Sequence, residues 1–125
     1  MKKRNVYFSE PSQQQINNLL ELYQAGKYDE AEKLAVSLTE EFPKHPFAWK
    51  VLAAVLKQMG KINESLVVSQ RSVQLNPQDT ETHNNLGVIL KGLGRLDEAE
   101  QSFRQAITLK ADFAETHNNL GNTLK

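Results

Sequence analysis

The chain has 125 residues, 39% of them apolar, and its 15 lysines and arginines balance 15 aspartates and glutamates. That balance offers no sequence-blind electrostatic grip, so neither nucleic acid nor an anionic membrane is an expected partner. No stretch approaches a membrane span, and without cysteine there are no disulfides, thiolate metal sites or thiol nucleophiles, which is in keeping with a cytoplasmic protein.

The basic start Met1-Lys2-Lys3-Arg4 has the charge of a leader peptide, but Asn5–Asn18 is too polar to be the apolar core that must follow. Residues 1–11 therefore read as an N-terminal tail. A first helix is expected after Pro11, where Ser12 and Gln15 have the spacing of a capping box. Gly26 interrupts it, and Lys27-Tyr28-Asp29-Glu30 follows. The same order of glycine, base, hydrophobe, acid or amide, and glutamate returns at Gly60–Glu64 and Gly94–Glu98, each 34 residues after the last. Pro43 and Pro77 are also 34 apart, and the next step lands on Ala111. The phrase ETHNNLG, at Glu81–Gly87 and again at Glu115–Gly121, keeps the same interval of 34. A period of this length marks a solenoid of stacked units rather than one globular core.

Each unit reads as two helices. In the third, Leu86, Leu90 and Leu93 form one helical stripe, and Leu96, Ala99, Phe103, Ala106 and Ile107 form another beyond Gly94. The glycine belongs just past the first helix's end, at positive φ, with Asp97 and Glu98 in the first turn of the second. Phe42-Pro43 and Asn76-Pro77 stop the second helices, because proline disfavours helical geometry in the residue before it. His45, between Pro43 and Pro46, reads as an exposed turn residue. Gly87 and Gly121, with Ala53 as their counterpart, allow close helix approach, while Leu86, Phe103 and Leu120 fill the space beside them. Ser65, Ser69 and Ser72 stand one period before Ala99, Phe103 and Ala106, and their hydroxyls can bond back to the preceding helical turn.

These intervals, with Trp49, Leu52, Ala53, Gly60 and Pro77 in one unit and Leu86, Gly87, Gly94, Ala99, Phe103 and Ala106 in the next, resemble tetratricopeptide repeats. The resemblance runs from Ser12 to Lys125, with Asn17-Asn18-Leu19-Leu20 as a departure in the first unit. It implies an all-α solenoid of antiparallel helical hairpins, wound as a right-handed superhelix. Residues 12–45, 46–79 and 80–113 form three repeats, and 114–125 the first helix of a fourth. Leu120 and Leu124 share one face of that last helix. It serves as a lid, pairs with a second copy, or belongs to a longer array, and the last is favoured.

No catalytic constellation is expected. The acids at 29, 30, 97 and 98 recur at helix starts, where they cap, and Gly92-Leu93-Gly94 lacks the third glycine of a dinucleotide fingerprint. His83 and His117 are one repeat apart and occupy the column of Trp49, an aromatic packing position, so a metal site is not expected. The chain is thus read as a non-enzyme without cofactor or metal.

The resemblance places a ligand groove along the first helix of each pair. Its residues fall on Asn17, Lys50, Asn84, Asn85, Val88, Asn118, Asn119 and Asn122. An asparagine amide both donates and accepts, so a row of them can hold a peptide backbone whatever its side chains. Asn17, Asn85 and Asn119 resemble the asparagine ladder of O-GlcNAc transferases, interrupted here by Val51. The other reading of these amides is repeat duplication with solvated side chains. The carboxylate clamp of chaperone-tail binders is not matched, since Glu115 and Asn119 replace its last basic pair and Ala54 its first asparagine. A protein-interaction module for an extended peptide, a scaffold, is the expected function. The alternative is the N-terminal substrate-recruiting part of a larger glycosyltransferase or sulfotransferase.

Overall fold

The computed structural model describes residues 10–111 and 114–124, without the side chains of 114 and 115. The expected tail up to Ser9, the Glu115 side chain and Lys125 lie outside the described residues. Among the described residues seven helices follow one another: α1 (Gln13–Gln24), α2 (Tyr28–Glu41), α3 (Pro46–Gln58), α4 (Ile62–Leu75), α5 (Thr80–Gly92), α6 (Leu96–Leu109) and α7 (Ala114–Leu124). Chain neighbours pack on each other, and α1 also touches α3, α3 touches α5, and α5 touches α7. The array is therefore two-layered, with the odd-numbered helices along one side.

Three identical turns set this geometry. Gly26, Gly60 and Gly94 have φ of 74°, 78° and 77°, a region that costs glycine nothing. The next residue's N–H donates to the carbonyl five back (Lys27 to Leu22, Lys61 to Leu56, Arg95 to Leu90), each at 2.9 Å. With the glycine's own N–H bonded three back, this is the Schellman closure of a helix end. The following base offers no side-chain cap, and Asp29 and Glu30, Glu64, and Asp97 and Glu98 place negative charge in the first turns, at the positive ends of the next helices. At the start of α1 both halves of the capping box form, Ser12 with Gln15, at 2.8 and 3.1 Å.

The core divides into two clusters. One gathers Leu19, Ala31, Ala35, Leu38 and Phe42 with Val51, Leu52, Val55 and Leu56. The other holds Leu66, Ile89, Leu90, Ala99, Phe103 and Leu120. The break falls at α4, whose inward positions 65, 69 and 72 are buried serines. Ser65 Oγ does not turn back along its own helix as expected; it donates across to the Ala53 carbonyl of α3 at 2.7 Å. The hydroxyl reaches the neighbouring helix because the alanine column there brings the two backbones close. Ser72 Oγ finds no partner among the described residues.

The small-residue column behaves differently at its two glycines. A methyl group on Gly87 would run into the fully buried Phe103 ring. Gly121 has nothing within 4 Å among the described residues, so the expected close approach is not seen there. Its counterpart of Phe103 would fall at a position past residue 125.

Candidate functional site

A groove of about 390 Å³ runs across α1, α3 and α5, and every described residue lining it comes from those three odd-numbered helices. Leu20 and Tyr23 enter from α1, Phe47, Val51 and Ala54 from α3, and Ile89 from α5, giving an apolar floor. Lys50, Lys57, Glu81 and Asn85 supply the polar groups. The floor is built by helical spacing: Leu20 and Tyr23 are three apart, as are Val51 and Ala54, so each pair shares a face.

Lys50 is already engaged. Its ammonium lies 2.9 Å from Asp79 Oδ2 and 3.6 Å from Glu81 Oε2. Asp79 is the N-cap of α5 and accepts from the Glu81 and Thr82 N–H groups at 3.0 and 3.4 Å. Burial pushes the Asp79 carboxyl up, but the bond to Lys50, the lysine's charge and the bonds from Thr82 together hold it below its ordinary value. The lysine thus secures the helix start that carries Asn85 into the groove.

The structure separates the residues that the sequence grouped. Lys50 and Asn85 line the groove together, and Asn85 is half-buried there. Asn84 does not face it. Its side chain is 1% exposed and accepts from Asn119 Nδ2 at 3.1 Å, joining α5 to α7. Adjacent helical residues point about 100° apart, so Asn84 and Asn85 cannot serve one surface. Asn119 is correspondingly tied to its neighbour rather than standing free. Val88 packs on the second core cluster, and Asn118 and Asn122 are exposed on α7, outside this groove. Asn17 is exposed on α1, outside the groove lining, and accepts from Gln13 Nε2 at 2.9 Å.

Tyr23, Phe47, Lys57 and Ile89 were not singled out by sequence. Position 23 lies one turn beyond Leu20, so extending the groove stripe by a turn would have found it.

The ring column has a shared role that packing alone does not express. Trp49 Nε1 donates to the Pro43 carbonyl at 3.0 Å, and His83 and His117 place Nε2 at 2.8 and 2.6 Å from the Pro77 and Ala111 carbonyls. A carbonyl only accepts, so each histidine carries its proton on Nε2. Each ring pins the loop six residues before it. His45 is likewise not a simple exposed turn: half-buried, it caps α3 by accepting from the Phe47 N–H at 3.3 Å. The short loop between Pro43 and Pro46 folds its ring onto the helix start. No group of three metal-ligating residues occurs among the described residues. None of the described helices is long and apolar enough to cross a membrane.

A family model for the tetratricopeptide repeat matches residues 80–113. No curated protein sequence matches the chain. Among solved structures, the first tetratricopeptide domain of Spaghetti (RPAP3), bound to an HSP90 peptide, superposes with a TM-score of 0.87 at 21% identity, over 94% of this chain and 95% of that one. The Yersinia enterocolitica type III secretion chaperone SycD, in complex with a peptide of the translocator YopD, gives 0.83 at 19% identity, over 89% and 90%. A mutant of the Thermobaculum terrenum O-GlcNAc transferase gives 0.86 at 21% identity, over 99% of this chain but 23% of that one. Residues 80–113 are a tetratricopeptide repeat, and the hairpins around them complete the tetratricopeptide-repeat fold.

Proposed function

We propose that the chain is a non-catalytic interaction module that binds an extended peptide segment of a partner protein in the groove across α1, α3 and α5. The groove itself supports this: a concave apolar floor lined also by Asn85, across three helices. An apolar cleft with a few placed polar groups is the usual form of a ligand site. Structures of the same fold that hold peptides, those of Spaghetti and SycD, support the reading. A cytoplasmic setting is part of the proposal.

The groove reading is tested by adding peptides selected on the chain to isotopically labelled protein and mapping amide shifts. Shifts confined to α1, α3 and α5 support it, and shifts on the even-numbered helices alone would refute it. Asn85→Ala should weaken such a peptide by about 0.5–1.5 kcal/mol, one hydrogen bond's worth, and leave stability unchanged. Asn119→Ala should do the reverse, because its amide is spent on Asn84. A second reading, recruitment of substrate for a larger transferase, is favoured by the likeness to the Thermobaculum enzyme. The gene sequence beyond residue 125 tests it, and a transferase domain there is the expected result of that reading.

A further inference from the structure

The groove's two lysines are not equivalent. Lys50 is paired with two carboxylates, those of Asp79 and Glu81. Lys57, one helical turn beyond Ala54 on the same groove wall, meets no carboxylate and makes no side-chain hydrogen bond among the described residues. It is half-buried, so its stem lies on protein while its ammonium remains available. Beside it the floor is apolar. Val51 takes the place that asparagine holds at 85, removing the amide grip at this rung, and Tyr23 and Phe47 close the sides.

The geometry points to a side-chain-reading subsite: an internal peptide segment that seats a bulky apolar side chain on Val51 and Ala54, between Tyr23 and Phe47, and offers a side-chain carboxylate to Lys57. This rests on the groove reading and names the guest's chemistry. An aromatic or branched residue supplies the area, and the uncompensated cation selects the sign of its neighbour. A lysine or arginine in that place would meet like charge, which costs more than the matching pair contributes. A free C-terminus is not required, because one cation suffices for one side-chain carboxylate. Ala54 and Lys57 are three residues apart on a helix, so the acid should lie within about three positions of the apolar residue in an extended guest.

The experiment pans a phage-displayed random dodecapeptide library on the full chain. Enriched sequences are then titrated as acetylated, amidated peptides by fluorescence anisotropy. The expected consensus is one bulky apolar residue with a nearby aspartate or glutamate, bound equally with or without a free C-terminus. Lys57→Glu should weaken that peptide about tenfold, and should favour the version whose acid is exchanged for lysine. Ala54→Glu and Tyr23→Ala, checked for folding by thermal melts, should each weaken it about tenfold by spoiling the apolar seat. Peptides that lose affinity on Ala54→Glu and Tyr23→Ala but ignore Lys57→Glu overturn the charge reading and leave the groove reading standing. A strict need for a free C-terminus also overturns this inference alone. Peptides indifferent to all three variants, or no enrichment at all, overturn both.

Discussion

Phe103 has no exposed surface, and its ring occupies the room that any side chain at 87 would need. Full burial of such a ring is worth about 2–3 kcal/mol, so the glycine opposite it is a packing choice rather than a conformational one. Gly87→Leu should destabilise by about 1–3 kcal/mol through overpacking. A denaturant melt showing no change would mean that α5 and α6 can separate freely. Ser72 has the opposite fault. Its hydroxyl is buried without a partner, while Ala106 fills the same column one repeat later. A buried unsatisfied hydroxyl costs roughly 1–3 kcal/mol, and alanine is the better helix former. Ser72→Ala should therefore raise stability by about 1 kcal/mol, measured by urea melts at constant slope. A loss would show that the hydroxyl has a partner in solution. The glycines at the turns were legible because only one residue type suits them. The loop-pinning bonds of Trp49, His83 and His117 were not, because a column of unlike rings signals packing before it signals a shared N–H.

At the scale of helices, the start of α5 is held by Asp79, itself held by Lys50 from α3. The carboxyl titrates below its ordinary value in the folded chain. A group with a lowered folded value stabilises the fold at any pH above its unfolded value of about 3.9, and that stability is lost as pH falls through the folded value. Lys50→Met should thus cost up to about 1 kcal/mol at neutral pH, the range of a partly exposed pair. The difference from wild type should close as the pH is taken down below 3.9 toward the folded value, read by thermal melts across that window. A difference that persists unchanged in acid would assign the loss to packing of the lysine stem. The same helix shows how far sequence reasoning reached. The repeat frame gave helix identities and ends, since glycine, proline and the acids recur in step. It could not divide Asn84 from Asn85, because duplication copies both and only the rotation between neighbours decides which faces the groove. Tyr23, Lys57 and Lys91 share one column with different chemistry, so the repeat pattern carries no signal at the positions that give a groove its character.

Across the whole molecule, stability in a stacked array is a sum of unit terms and nearest-neighbour interfaces. The two apolar clusters meet at α4, where serines replace Ala99, Phe103 and Ala106 of the following unit. Buried hydroxyls bring less transfer free energy than methyls and rings, so the α4 seam gains less from burial than the matching positions of the next unit. The groove spans both clusters, its floor drawing residues from α1 and α3 on one side and from α5 on the other. A guest lying across it would bridge the two clusters and raise their coupling. Repair of the seam can be designed from the chain itself, because Gly87 and Phe103 already solve the problem one repeat later. Ser69→Phe alone should destabilise, since its ring would meet the Ala53 methyl as Phe103 would meet one at 87. Adding Ala53→Gly should relieve the clash. Burial of a phenylalanine ring gives about 2–3 kcal/mol and a helical glycine costs about 1, leaving a net gain of about 1–2 kcal/mol over wild type. Hydrogen exchange should show α1–α3 and α5–α7 opening in two parts in the wild type and together in the double variant. If the double variant is no more stable than Ser69→Phe, positions 53 and 69 do not face each other, and the equivalence of the second and third hairpins fails at their interface.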